Sequence, residues 1–209
     1  MSSKLFDLNA DLRRLRDDGY NVDIHGANLV VRDIPYVNDK REVQYDGVLI
    51  TTLNLSGDIA NKPDTHQIRF AGQRPCTSEG HPIEALSLAE EVVRFSDKLS
   101  SRFHFSNKPT RGHYLDYHEK VQTYAAILSG HAATIDTFAT PKTHRVVEPE
   151  DDNSPFNYLD TASARADINM ITNKLAVEKL AVVGLGGTGS YVLDFLAKTP
   201  VKEIHLFDG

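Results

Sequence analysis

The sequence predicts an α+β domain followed by the β-α-β start of a parallel α/β domain. Three observations carry this prediction. Apolar residues at helical spacing open the chain, short β-branched segments separated by turns follow, and the last thirty residues read as strand, glycine-rich turn, helix and strand. We place the first domain at residues 1–144, an acidic linker at 145–159 and the second unit at 160–209.

The first domain is predicted to begin with a helix and to continue as an antiparallel sheet. Gly19 follows the apolar row as a left-handed helix terminus, and Pro35 ends one of the strand candidates. The four strand candidates are YNVDI, LVVRDI, DGVLITTLNL and THQIRFAG. The apolar row of the opening helix consists of Leu5, Leu8, Leu12 and Leu15.

Two later stretches of the first domain predict helices. HPIEALSLAEEVVRFSDKLS carries two overlapping apolar rows at helical spacing. GHYLDYHEKVQTYAAILSG places Val121, Tyr124, Ala125 and Leu128 on one face before Gly130. Its tyrosines and histidines invite a binding-site reading, but their spacing favours packing in the core. We therefore expect a helix, an antiparallel sheet and then helices.

The end of the chain carries the motif with the clearest chemistry. A short apolar run, Leu180 to Val183, predicts a strand buried on both faces of a parallel sheet; it leads into GLGGTGS, and a helix pattern follows at about Ser190 to Lys198. Gly184, Gly186 and Gly189 satisfy the G-x-G-x-x-G pattern, in which the glycines allow a tight turn, a close phosphate and close helix packing. The helix N-terminus would direct its free N–H groups at the phosphate.

An acidic residue follows the second strand of this unit at the expected offset. VKEIHLFDG reads as a strand with Asp208 at its carboxyl end, 19 residues after Gly189. An acid about 20 residues after the glycine turn meets ribose hydroxyls in nucleotide-binding β-α-β units. The turn and the acid together predict a nucleotide site.

The stricter motif G-x-G-G-x-G-S resembles that of the ThiF/MoeB/HesA family, which includes the adenylation domains of ubiquitin-activating enzymes. The resemblance covers about residues 163–209 and implies a Rossmann-like domain that binds ATP with Mg²⁺. It also implies adenylation of the C-terminal glycine of a ubiquitin-like or sulfur-carrier protein, and it is compatible with a homodimer. The implied nucleotide-binding residues are Gly184, Gly186, Gly187, Thr188, Gly189, Ser190 and Asp208.

Other parts of the family pattern are less complete in this chain. The family carries an arginine on a helical arm before the first strand, and Arg165 in SARAD is the candidate, in a stretch that predicts a helix capped by Thr161 or Ser163. The magnesium ligand is expected beyond residue 209, so we expect this chain to be a fragment that does not catalyse adenylation alone. A ThiF-type enzyme is therefore the expectation for the full-length protein.

Two other functions fit the same residues. An NAD-binding oxidoreductase could use Gly186, Gly189 and Asp208 for its dinucleotide. A non-catalytic binding module could use the nucleotide fold only as a scaffold. In the first domain, Cys76 could be a thioester-forming nucleophile activated by His66 or His81, although a single cysteine more often packs as a small apolar residue.

Composition excludes several classes of function. The formal net charge of −6 argues against nucleic-acid binding, which needs clustered cations. No apolar run reaches the ~20 residues of a membrane helix, and the N-terminus lacks a secretory signal. One cysteine and nine scattered histidines predict no disulfide and no metal site. We expect a cytoplasmic protein.

Overall fold

The structure is a computed structural model that describes residues 2–84, 86–145 and 175–209. Most of the predicted linker, the predicted arm helix and Arg165 lie outside the described residues. Up to residue 145 the chain forms a mixed α+β domain, in which one six-stranded sheet packs against the helices. The predicted α+β class is confirmed for this part of the chain.

The N-terminal helix is present but broken. Helix α1 spans Ser2–Leu8 and α2 spans Ala10–Asp17, because Asn9 between them is extended (φ −116°, ψ 110°). The buried Asn9 amide donates to Leu5 O (2.7 Å) and to Asp58 O (2.9 Å). These bonds attach the junction of α1 and α2 to the segment that contains Asp58. Leu8 is about half exposed, whereas the other three leucines of the predicted row are buried.

The sheet is antiparallel throughout and has the order β1-β2-β3-β6-β8-β7. All four predicted strand segments fall within its strands or directly beside them. A separate two-stranded hairpin, β4 with β5, follows β3. The strands are β1 Asn21–His25, β2 Asn28–Val37, β3 Val43–Thr52, β4 Leu55–Ser56, β5 Ile59–Ala60, β6 Gln67–Ala71, β7 Ser87–Ser96 and β8 Leu99–Ser106.

Strand β2 does not end at Pro35 as predicted. The register with β3 shifts between Val31 and Ile34 and again between Ile34 and Tyr36, and Asp33 adopts a positive φ of 60°. A proline lacks the N–H that a regular ladder needs, but it is tolerated at such bulges. The strand therefore continues past Pro35 to Val37.

The stretch HPIEALSLAEEVVRFSDKLS is not helical, which corrects the sequence prediction. It forms β7 and the start of β8, joined by a tight turn in which Ser96 faces Leu99. Leu99, Ser101, Phe103 and Phe105 are buried in strict alternation along β8. Phe103 and Phe105 stack on Phe70 of β6 at 5.5–6.5 Å between ring centroids. These contacts join strands that are distant in the sequence. They stabilise a strand where the local apolar spacing predicts a helix.

The second predicted helix, α3, spans Tyr117–Ala133 and runs through Gly130. The Asp116 side chain caps its N-terminus by accepting from Glu119 N at 2.7 Å. Its predicted apolar face is buried against β2 and β3 and forms the main core with α1 and α2. A smaller apolar cluster of Val30, Ile50 and Leu99 lies on the other face of the sheet.

The tyrosines of this region pack in the core, as the spacing predicted. Tyr117 and Tyr124 are fully buried. The Tyr117 hydroxyl donates to Thr52 O (2.9 Å) and accepts from Asn54 N (2.6 Å). The Tyr124 hydroxyl donates to His66 O (2.5 Å) and accepts from Asn107 N (2.6 Å). Each hydroxyl thus satisfies two backbone groups at the ends of strands.

Residues 175–209 form a β-α-β unit. Strands β9 (Lys179–Val183) and β10 (Glu203–Phe207) pair in parallel from Lys179–Glu203 to Val183–Phe207, and helix α4 (Thr188–Leu196) connects them. β9 was predicted to be buried on both faces, but Val183 is 81% exposed. Tyr191 and Phe195 of α4 are also exposed, because no other element of the described residues covers them.

We predict that Tyr124→Phe lowers the free energy of unfolding by about 1–3 kcal/mol, because a partly buried carbonyl and a partly buried N–H lose their partner. Urea unfolding measures this change. Tyr45→Phe is the matched control, since the Tyr45 hydroxyl bonds only the exposed Asp136 carboxylate and its loss should cost less than about 0.5 kcal/mol. Equal costs for the two variants would contradict the role given to Tyr124.

Candidate functional site

The glycine-rich turn lies between β9 and α4, beside the carboxyl end of β10. Gly184 N donates to Phe207 O at 2.7 Å, which extends the pairing of the two strands by one bond. Asp208 Oδ1 accepts from Leu185 N at 3.1 Å. The two sequence signals, 19 residues apart, therefore meet at the same edge of the unit.

Three of the four glycines of the turn are required by the fold, for different reasons. Gly184 (φ +85°) and Gly187 (φ +48°) have left-handed backbones that other residues rarely adopt. A Cβ on Gly189 would lie 1.7 Å from Gly184 O, so close packing of turn and helix excludes a side chain there. A Cβ on Gly186 would meet nothing within 4 Å, and its φ is not positive. The fold alone does not explain a glycine at position 186.

The backbone N–H groups of this turn are available to a ligand. Among the described residues, the amides of Gly186, Gly187 and Thr188 donate to no acceptor, whereas Gly189 N donates to Gly186 O. No side chain caps α4, and the Ser190 hydroxyl donates to Gly187 O at 2.8 Å. Successive free amides at a helix N-terminus form a concave site for an anion.

A second candidate site lies in the first domain, where β3 and β6 separate. The two strands pair only from Val48–Ala71 to Ile50–Arg69, although β3 continues to Thr52 and β6 begins at Gln67. Lys120 of α3 fills the gap: its Nζ donates to Thr51 Oγ1 (2.8 Å) and to Thr65 O (2.9 Å). Lys120 is 1% exposed.

A cavity of about 200 Å³ lies at this gap. Burial lowers the pKa of Lys120 to about 7, against the opposing effect of Asp64. Burial and the charge of Arg69 likewise lower the pKa of His104, Glu91 opposes this, and Lys120 adds to the lowering. The ionisable side chains that line the cavity are Asp64, Arg69, Arg94, His104 and Lys120.

A family model described as a domain of unknown function, DUF6791, matches residues 10–161, which is more than half of the chain. The chain belongs to the DUF6791 family. The matched range includes α2, the whole six-stranded sheet and α3, whereas the glycine-rich turn lies outside it. Comparison with curated proteins and with solved structures gave no match.

Cys76 lies in the DUF6791 region, in a small bridge to Val37 and Pro82, and is 1% exposed. Burial and Asp39 raise the pKa of its thiol, and the nearby Arg74 lowers it less. The thiol hydrogen-bonds neither His66 nor His81 among the described contacts; His66 instead bonds the Ser106 hydroxyl at 3.0 Å. This environment is that of a packed cysteine and disfavours a thiolate nucleophile.

Sequence reasoning did not find Lys120 or the cavity around it. One local signal was present: Lys120 precedes Tyr124 and Leu128 by four and eight residues, so a lysine occupies the apolar row of α3. The other cavity residues come from separate strands and have no common motif. Within the described residues no group of three or more His, Cys, Asp or Glu is placed to hold a metal ion, and no helix could cross a membrane.

We predict that the stability of the DUF6791 domain rises between pH 7 and 9 because of Lys120. The folded lysine releases its proton near pH 7, whereas the unfolded one keeps it to about 10.5. The unfolded state binds more protons in this range, so the free energy of unfolding increases with pH. Urea unfolding at pH 7, 8 and 9 should show this slope in the wild type.

Two lysine variants separate the effect of Lys120 from other titrations. Lys120→Met should lose most of the slope, because methionine carries no proton. Lys98→Met, at an exposed lysine between β7 and β8, should keep it. A wild type and a Lys120→Met variant with the same pH profile would show that Lys120 stays charged when folded.

Proposed function

We propose that the chain carries the nucleotide-binding turn of an ATP-dependent adenylyltransferase of the ThiF/MoeB/HesA type, which activates the C-terminal glycine of a ubiquitin-like or sulfur-carrier protein in the cytoplasm. In this proposal the β9-α4-β10 unit is the first part of a Rossmann-like domain. The parallel pairing of β9 with β10 and the connection through α4 support it. The strict motif G-x-G-G-x-G-S supports this family over a dehydrogenase.

The open space at Gly186 is the observation that carries the proposal. The other three glycines of the turn serve its backbone or its packing, so they would be needed with or without a ligand. A Cβ on Gly186 would meet no atom of the described residues within 4 Å, and its backbone has no positive φ. A glycine at such a place is explained when a ligand approaches the backbone so closely that a Cβ would collide with it.

The residues present fit the phosphates and sugar of a nucleotide. The amides of Gly186, Gly187 and Thr188 would hold a phosphate, aided by the dipole of α4. Asp208, held beside the turn by its bond with Leu185 N, would accept from a ribose hydroxyl through its second oxygen. Bound ATP supplies the α-phosphate that the carrier carboxylate attacks, with pyrophosphate as the leaving group.

The contribution of this chain to that reaction is positioning and charge stabilisation. The carboxylate and the triphosphate are both anions and repel each other. Amides held in fixed positions would neutralise phosphate charge and so lower the activation barrier, with no rearrangement of the backbone during the reaction. No magnesium ligand is assigned among the described residues.

We predict that Gly186→Ala weakens binding of Mg·ATP at least tenfold without changing the melting temperature, because the new methyl group occupies ligand space only. Calorimetric titration of the whole chain measures the affinity. Gly130→Ala is the matched control: its Cβ also meets nothing within 4 Å, but it lies in α3. It should leave ATP binding unchanged.

The same titration distinguishes the alternatives. Binding of NADH but not ATP would favour the oxidoreductase. Binding of neither would leave the β-α-β unit as a scaffold and overturn the proposal.

We also predict that Asp208→Asn weakens ATP binding but leaves tripolyphosphate binding unchanged. The asparagine oxygen can still accept from Leu185 N, so the turn keeps its shape, while the charge that faces the sugar is lost. Parallel titrations with ATP and with tripolyphosphate, which has no ribose, measure the difference. An equal loss for both ligands would place Asp208 at the phosphates rather than at the sugar.

A further inference from the structure

The cavity beside Lys120 carries more positive than negative charge, in a chain of formal net charge −6. Its lining includes the cations Lys120, Arg69 and Arg94 and one carboxylate, Asp64, while Glu91 outside the lining pairs with Arg69. Among the described residues no carboxylate lies within 4 Å of Lys120 Nζ, and the Asp64 carboxylate accepts from Asn54 Nδ2 at 2.6 Å. A buried ammonium without an ion pair is costly, so an anion would stabilise this site.

Two donors at the cavity lack acceptors in the part of the chain that the structure describes. Arg69 Nη1 is buried and bonds nothing, whereas Nη2 of the same guanidinium lies 3.3 Å from Glu91 Oε2. When protonated, Lys120 has three N–H bonds and uses two of them, on Thr51 and Thr65. Buried polar groups nearly always have partners, so unsatisfied donors beside a cavity indicate a missing acceptor.

The donors approach the cavity from opposite faces of the sheet. Lys120 reaches the gap from α3, on the face that contains Ile68 and Phe70. Arg69 lies between these two residues along β6 and therefore points to the other face. His104 pairs with Arg69 across β6 and β8 and shares that face. Donors arranged on two sides suit a ligand with acceptor oxygens in several directions.

We propose that this cavity binds the tetrahedral dianion of a phosphate group, free or as a phosphomonoester, with Lys120 and Arg69 as its principal donors. A volume of about 200 Å³ accommodates such a group but is below the ~300 Å³ at which pockets for larger organic ligands begin. The exposed side chains of Asp64 and Arg94 border the entrance. The proposal concerns the DUF6791 domain alone and does not depend on the nucleotide site.

Binding of the dianion is coupled to protonation of Lys120. The neutral amine that burial favours near pH 7 and above must take up a proton to neutralise the ligand. The charged and titratable groups that line the cavity with it are Asp64 from the loop before β6, Arg69 from β6, Arg94 from β7 and His104 from β8, and Glu91 of β7 pairs with Arg69. Sulfate keeps its charge over this pH range, so its affinity should fall roughly tenfold or more from pH 6.5 to 8.5.

The test is calorimetric titration of the whole chain. Inorganic phosphate and O-phosphoserine are titrated at pH 7, and sulfate is titrated at pH 6.5 and at pH 8.5. Lys120→Met and Arg69→Gln should each weaken binding about tenfold or more. Arg102→Gln is the matched control, because Arg102 on β8 lies 3.3 Å from Glu90 just as Arg69 lies from Glu91, but it does not line the cavity. It should bind as the wild type does.

The two phosphate ligands identify the source of the group. Tighter binding of inorganic phosphate supports a free-phosphate site, and tighter binding of O-phosphoserine supports a phosphomonoester site. The proposal is overturned if the wild type binds none of these anions. It is equally overturned if both Lys120→Met and Arg69→Gln bind with wild-type affinity, or if sulfate affinity does not change with pH. The wild-type titrations test the proposed anion binding even if a variant fails to fold.

Discussion

The contact of α3 with the open end of the sheet is the interaction on which the DUF6791 domain depends. Tyr117, Lys120 and Tyr124 follow one another at intervals of three and four residues, so they project from one face of the helix. Each reaches a backbone oxygen: Tyr117 reaches Thr52 at the end of β3, and Lys120 and Tyr124 reach Thr65 and His66 directly before β6. One helix face thus satisfies carbonyl groups that strand pairing leaves free.

This arrangement explains why the sheet can separate between β3 and β6 without losing its core. The ladder stops at Ile50 and Arg69, and beyond that point the polar ends of α3 side chains replace strand-to-strand bonds. Lys120 does so as a buried amine that has no carboxylate partner in the part of the chain that the structure describes, and a methionine of similar length would avoid this cost. The lysine is therefore a costly residue for packing alone, and the adjoining cavity is the feature that gives it a further use.

Sequence patterns predicted those parts of the molecule in which the deciding contacts are local. The hairpin of β1 and β2, the strand character of β3 and β6 and the buried face of α3 follow from periodicity over a few residues. The stretch containing Val92 and Phe95 has helical spacing too, but it is a strand, because Phe103 and Phe105 of the following strand stack on Phe70. That contact joins residues more than thirty positions apart, so a pattern read over a few neighbouring residues does not contain it.

The two candidate sites differ in the same way, and the difference extends to their chemistry. The glycine turn consists of seven consecutive residues, Gly184 to Ser190, because the proposed binding there would use backbone amides that are neighbours in the sequence. The Lys120 cavity is lined by residues of five strands, of helix α3 and of the loop before β6, so no sequence motif contains them. Backbone amides do not titrate near neutral pH, whereas the Lys120 amine does. The two proposals therefore differ in their pH dependence: anion binding at the turn would be insensitive to pH on the protein side, and binding at the cavity would follow the protonation of one lysine.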